Sequence, residues 1–227
     1  MKSLCLFIGV ILAMIGYGNA AEPEKAPAHS RAKPTVKFVD LQWKSNERLS
    51  TDLHGFEGNN LMKLPLGVEE FAGVKFSVGE GYIKLGGTID KQRPMKVEAI
   101  KVNESAARIQ ILHGTGYGAA GGFVADGAKI GEYVIHYEDQ STASIPIDYG
   151  TDVRDWWSWG KSPEVTRGKI AWAGTNDFSE EEKQIIHLYL ATWENPKPAL
   201  KIATIDYIST GKTPAAPFCI AITLEQK

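Results

Sequence analysis

Cysteine is almost missing from this chain of 227 residues: there are two, Cys5 and Cys219. Cys5 lies in an N-terminal apolar run that reads as a cleaved export signal, which leaves Cys219 alone in the mature chain. An exported protein with one cysteine has no internal disulfide, so burial of apolar side chains has to hold its fold. Cys219 itself falls in Phe218-Cys219-Ile220-Ala221-Ile222, an apolar run that reads as a strand with a buried, inert thiol. An excess of positive charge is also missing. The 25 basic and 27 acidic side chains give a formal net charge of −2, which argues against nucleic acid as a partner and leaves neutral ligands open. There is no H-x-x-x-H, no paired cysteine motif and no G-x-S-x-G, so the common zinc spacings and the nucleophile elbow of the α/β-hydrolases are excluded.

Long hydrophobic stretches are scarce as well. The longest uncharged apolar run, Leu4 to Ile15, is shorter than the roughly 20 residues a membrane helix needs. Lys2 precedes it, and Gly18-Asn19-Ala20 follows with small residues at the cleavage positions, so residues 1–20 read as a signal peptide. Cys5 stands at the start of the run, where a lipidated cysteine does not lie. Residues 21–34 are rich in Ala, Pro, Glu and Lys and read as a flexible spacer. Residues 35–227 then suffice for one domain with a sizeable core. The expectation is a soluble protein exported to the periplasm or beyond, with no membrane insertion after the signal is removed.

What the remainder does contain is strand signal. Thr35–Trp43, Val68–Val78, Tyr82–Leu85, Lys96–Val102, Ala107–His113 and Ile130–Tyr137 combine β-branched or aromatic residues with turn formers at their ends. Thr142–Tyr149, Lys169–Trp172, Gln184–Trp193, Lys201–Ile208 and Phe218–Leu224 do the same. From Ile186 to Trp193 the alternation puts Ile186, Leu188 and Leu190 on one face and His187, Tyr189 and Trp193 on the other. Glu138-Asp139-Gln140 reads as a hairpin tip. Ser179-Glu180-Glu181-Glu182 reads as a short helical turn capped by Ser179. Closely spaced strands with only short helical turns predict an all-β sandwich of two antiparallel sheets.

Gly116-Tyr117-Gly118-Ala119-Ala120-Gly121 matches G-x-G-x-x-G after a strand. A dinucleotide site needs a crossover helix behind the glycines to present its N-terminus to the pyrophosphate. Asp126-Gly127 turns the chain and a new strand begins near Ile130, too soon for the ~10–12 residues of a crossover. The motif reads instead as a glycine loop at the rim of the sandwich.

Three clusters carry recognition chemistry. In Tyr149-Gly150-Thr151-Asp152-Val153-Arg154-Asp155-Trp156-Trp157-Ser158-Trp159 the three tryptophans crowd a loop, and they cannot all point into one core. An indole face stacks on the apolar face of a sugar, while Asp152, Arg154 and Asp155 are suited to bonding its hydroxyls. Plugging the open end of a sandwich is the competing role for the rings, and Arg154 pairing with Asp152 or Asp155 is the competing role for the charges. Trp193, Glu194 and Asn195, ahead of Pro196, form the second cluster; they face a ligand or satisfy backbone groups at a strand end. The third is the polar loop Asp52–Asn60, in which His54 and Glu57 are close enough to bind a metal or exchange a proton. Asp52, Asp126, Asp148, Asp152 and Asp155 could supply oxygens to a structural calcium, though they lack the regular D-x-D-x-D spacing.

Leu64-Pro65-Leu66-Gly67-Val68, followed by Phe71-Ala72-Gly73-Val74-Lys75-Phe76-Ser77-Val78, resembles a family of secreted bacterial modules of the galactose-binding-like, jelly-roll β-sandwich type, akin to carbohydrate-binding modules. The resemblance continues through Tyr149-Gly150-x-Asp152-Val153-Arg154-Asp155-Trp156-Trp157 and Thr192-Trp193-Glu194-Asn195-Pro196, and spans about Val36 to Leu224. It implies a jelly roll; it brings no catalytic residues with it. The expectation is therefore a non-catalytic module that binds a glycan or cell-envelope polysaccharide at one rim. Stacking would come from Trp156, Trp157, Trp159 and Trp193, with Asp152, Arg154, Asp155, Glu194 and Asn195 as polar partners. Two alternatives stay open: a structural or protein-interaction module of the envelope, and a glycan-cleaving enzyme with paired carboxylates.

Overall fold

Alternating and continuous apolar runs become thirteen strands, and two short helical turns complete the regular structure among the described residues. In the computed structural model these are residues 35–119, 124–160 and 162–226. The segments expected to be a signal peptide and a spacer, Lys227 and the Ala120-Gly121 end of the glycine motif lie outside them, and the described residues belong to one compact unit.

The strands are β1 (Val36–Val39), β2 (Glu47–Arg48), β3 (Gly67–Phe71), β4 (Val74–Val78), β5 (Gly81–Lys84), β6 (Lys96–Ser105) and β7 (Arg108–Gly116). They continue with β8 (Lys129–Tyr137), β9 (Thr142–Asp148), β10 (Lys169–Gly174), β11 (Ile186–Glu194), β12 (Lys201–Ser209) and β13 (Ala216–Glu225). A 3-10 turn spans Gln42–Lys44, and helix α1 spans Asp177–Glu181. One sheet runs β10-β11-β7-β13-β5-β2, with β1 sharing the free edge of β13 beside β5; the other runs β6-β12-β8-β9. All strand pairs are antiparallel. The fold is the all-β sandwich expected from the sequence.

The core between the sheets is built from Ile130, Tyr133, Ile135, Ile202, Ile205 and Tyr207 on one side and Ile109, Ile111, Tyr189, Cys219, Ile222 and Leu224 on the other. The larger sheet is buried on its second face too. Leu112, Ile186, Leu188, Leu190, Phe218 and Ile220 pack there against Leu49, Leu53, Leu61, Leu64, Phe76, Trp156 and Trp157. A third layer, made of the 49–64 loop and the β3–β4 hairpin, therefore covers the sandwich. The run Ala216–Glu225 is apolar on both faces for this reason. The register shift between Cys219 and Ala221 puts Ile220 and Ala221 together on the outer face.

Local details depart from the sequence reading at three places. Val68–Val78 is a hairpin and not one strand, because Ala72 (φ 50°) and Gly73 (φ 84°) form a two-residue turn of the left-handed kind that hairpins favour. The first strand ends at Val39, where Asp40 accepts a hydrogen bond from the Gln42 N–H at 2.9 Å and the chain turns into the 3-10 segment. Helix α1 is capped by Asn176 rather than Ser179. The Asn176 side chain accepts from the Ser179 N–H at 2.7 Å, and the Ser179 hydroxyl accepts from the Asn176 N–H at 2.8 Å.

Candidate functional site

β7 and β11 stay paired only from Arg108 opposite Glu194 to His113 opposite Tyr189. Beyond that point they splay, and the tryptophan loop fills the gap. The Trp156 N–H donates to the Thr115 carbonyl at 2.8 Å, and the His187 N–H donates to the Trp156 carbonyl at 2.7 Å. Trp156 thereby points into the outer core, fully buried, with Trp157 beside it at 2% exposure. Trp159 emerges beyond them, 45% exposed and stacked on Trp157 with centroids 5.0 Å apart.

This wedge forms one wall of a pocket of about 230 Å³ lined by His54, Phe56, Asn59, Tyr117, Asp155, Trp157, Trp159 and Phe178. Its rings are contiguous. Phe56 stacks on Phe178 at 4.7 Å, Phe178 meets Trp157 at 5.4 Å, and His54 meets Tyr117 at 4.1 Å. Asn59 is the peg that holds the walls together: its carbonyl accepts from Trp157 Nε1 at 3.1 Å and Asn176 Nδ2 at 3.2 Å, while its amide donates to the Leu53 carbonyl. Three lining residues, His54 (φ 63°), Tyr117 (φ 55°) and Trp159 (φ 46°), hold left-handed backbone without being glycine. Each such conformation costs roughly 1–2 kcal/mol, and strain of this kind collects at ligand sites.

Three titratable groups line the pocket, His54, Tyr117 and Asp155, and burial shifts each of them. Asp155 is buried; its Oδ1 accepts from the Trp157 N–H at 3.0 Å and its Oδ2 from the Ala119 N–H at 2.9 Å. Loss of water pushes its carboxyl up to about 6, against the pull of the Trp157, Ala119 and Gly118 N–H groups. His54 moves the other way. Burial takes it down to about 4, aided by Lys84 and opposed by Asp90. Its Nε2 is buried with no hydrogen-bond partner among the described residues. The glycine motif allows this closeness. A Cβ on Gly116 would stand 2.7 Å from His54 Nε2, and one on Gly118 would stand 2.4 Å from the Tyr149 ring.

The nine residues expected to form one rim site are not gathered. Asp155, Trp157 and Trp159 line the pocket, and Trp156 lies behind it in the core. Asp152 is bound in fork geometry by Arg167, at 2.7 Å to Oδ1 and 2.6 Å to Oδ2. Arg154 pairs with neither Asp152 nor Asp155; it forks onto Asp126 at 2.8 and 2.7 Å. Trp193, Glu194 and Asn195 stand at the far end of β11 from the Trp157–Ile186 bridge, about 26 Å away at the usual rise of a strand. There Trp193 packs on the inner core, Glu194 pairs with Arg108 at 2.8 Å, and Asn195 accepts from the Tyr137 hydroxyl at 2.5 Å.

The aspartates considered for calcium are likewise taken up by other partners. Asp52 accepts from Gly58 N–H and Asn60, Asp126 holds Arg154, and Asp148 shares Arg167 with Asp152. Among the described residues no three His, Cys, Asp or Glu side chains group as a metal site. Sequence reading singles out the loop that carries Phe56 and Asn59 without naming roles for those two, and misses Tyr117 and Phe178. The usable signals were large rings set in Gly- or Asp-rich loops, as in His54-Gly55-Phe56 and Gly116-Tyr117-Gly118.

No family model, curated protein or solved structure matches this chain. The geometry of the pocket has to carry the functional argument.

Proposed function

We propose that the protein is a non-catalytic glycan-binding module and that its site is the aromatic pocket beside Trp159. The observation that carries this reading is the pocket itself: five aromatic rings, two of them exposed at Phe56 and Trp159, surround one buried carboxylate and one neutral histidine. Flat apolar walls suit the faces of a sugar ring, and a few fixed polar atoms suit its hydroxyls. The strained backbone at three lining residues supports a wall set in place before the ligand arrives. Among the described residues the lining contributes a single carboxylate, which does not favour hydrolysis by a pair of acids about 5–10 Å apart. Export beyond the inner membrane and kinship with galactose-binding-like modules belong to this same proposal.

A glycan array probed with the protein, followed by titration of the hits, tests it. Trp159→Ala is expected to weaken binding roughly ten-fold, the loss of one stacked ring, with little change in melting temperature because Trp159 is half in solvent. Folded protein that stays silent across a broad array, or Trp159→Ala protein that binds as well as wild type, overturns the reading. Silence would favour the envelope-interaction alternative, which calls for a broad exposed apolar patch.

A further inference from the structure

The charge balance around the pocket distinguishes Asp155 from the other buried acids near it. Asp152 has Arg167, Glu47 has Arg93, and the Lys84–Asp90 pair is closed at 2.7 Å. Asp155 has backbone N–H groups for partners and no cation among the described residues. Arg154, next to it in sequence, is turned away onto Asp126. Among the described residues, the carboxylate therefore sits at the wall of an aromatic cavity with no cation to compensate its charge. Backbone dipoles hold the anion in place without neutralising it.

The rings that surround it add to the same field. The faces of Trp, Tyr and Phe carry negative charge density and attract cations, most strongly where water is excluded. Trp157, Trp159, Phe56 and Tyr117 share the lining with Asp155. His54 does not compete for the anion, since burial keeps its ring neutral above about pH 4. A neutral sugar would use the flat walls and leave the buried charge unpaired. A ligand carrying a positive group would use both.

We propose that the pocket selects ligands bearing an ammonium group, with Asp155 as counter-ion and the surrounding rings as its cage. Resting on the glycan reading, the class of ligand is an amino sugar with a free amine, its ring stacked at Trp159 and its ammonium directed to Asp155.

Calorimetric titration of the full-length protein with three probes tests this: a glucosamine oligomer, the N-acetylated oligomer of equal length, and tetramethylammonium. The free-amine oligomer is expected to bind at least about ten-fold more tightly than the acetylated one, since a desolvated cation–ring contact plus an ion pair exceeds a single decade. Asp155→Asn should remove that preference, and circular dichroism reports whether the variant folds. Should it not fold, the comparison of the two oligomers on wild-type protein still decides. Equal affinity for both oligomers overturns the ammonium inference and leaves glycan binding standing. Asp155-dependent binding of tetramethylammonium without either oligomer sustains the ammonium site and overturns the sugar. Binding of none of the three overturns the inference.

Discussion

Replacing Asp155 with asparagine should steepen the dependence of stability on pH, and the size of the change follows from three buried groups. Asp155 has its carboxyl raised from 3.8 to about 6. Between those values the folded protein holds a proton that the unfolded chain has released, so this group's contribution is full below pH 3.8 and is lost as pH rises through 6. The loss amounts to roughly 3 kcal/mol. His54 and His113 act in the opposite sense. Burial lowers both from 6.5 to about 4, so unfolding takes up a proton at each and stability falls as pH drops from 6.5 towards 4. Near pH 5, unfolding gains about two protons at the histidines and loses about one at Asp155. The net slope from these groups is roughly 1 kcal/mol per pH unit. Asp155→Asn removes the opposing member and raises the slope to about 3 kcal/mol per pH unit. Other titrating groups, such as His187, cancel in the comparison. So does any fixed cost of the asparagine, whose single amide oxygen can accept from only one of the Trp157 and Ala119 N–H groups that the carboxylate holds. Urea unfolding of both proteins at several values between pH 4.5 and 6 measures the two slopes. Parallel profiles would refute the argument, because they would mean that Asp155 titrates alike in the folded and unfolded chains.

Arg167→Ala should cost about 2 kcal/mol in chemical denaturation, since it leaves buried Asp152 with the Asp148 N–H as its remaining donor; the figure is reduced from that of a fully buried pair because Arg167 is half exposed. Adding Asp152→Asn to that variant should recover part of the loss. Asn176→Ala should lower stability by about 1–2 kcal/mol, read from thermal melts, through loss of the α1 cap and of the ties to Asn59 and Asn60. Cys219 should resist iodoacetamide in native protein and react after denaturation, as peptide mass mapping would show. It is buried, and burial pushes its thiol up to about 12.

The strands were legible because their signal is local. The alternation at Ile186–Trp193 assigns Ile186, Leu188 and Leu190 to one core and Tyr189 and Trp193 to the other. The hairpin at Ala72-Gly73 was not legible, since alanine at its first turn position gives none of the usual Asn or Gly signal. Residue type alone does not separate Asn176 from Ser179 as the cap, since either suits the position; in the structure the two exchange hydrogen bonds, with Asn176 in the capping place.

The sequence by itself determined an all-β chain, the burial of Cys219, and a loop in which three tryptophans could not share one environment. Only the tertiary structure decided which of them is reachable: Trp156 closes the splay between β7 and β11, and Trp159 is left outside. It also decided that Glu194 and Asn195 stand a whole strand away from the site, while Phe56, Tyr117 and Phe178, from three distant segments, meet there. Periodicity reports which face of a strand is buried. It carries no information on which loops cover that face, because that is set by strand order and by the ion pairs and hydrogen bonds that dock each loop.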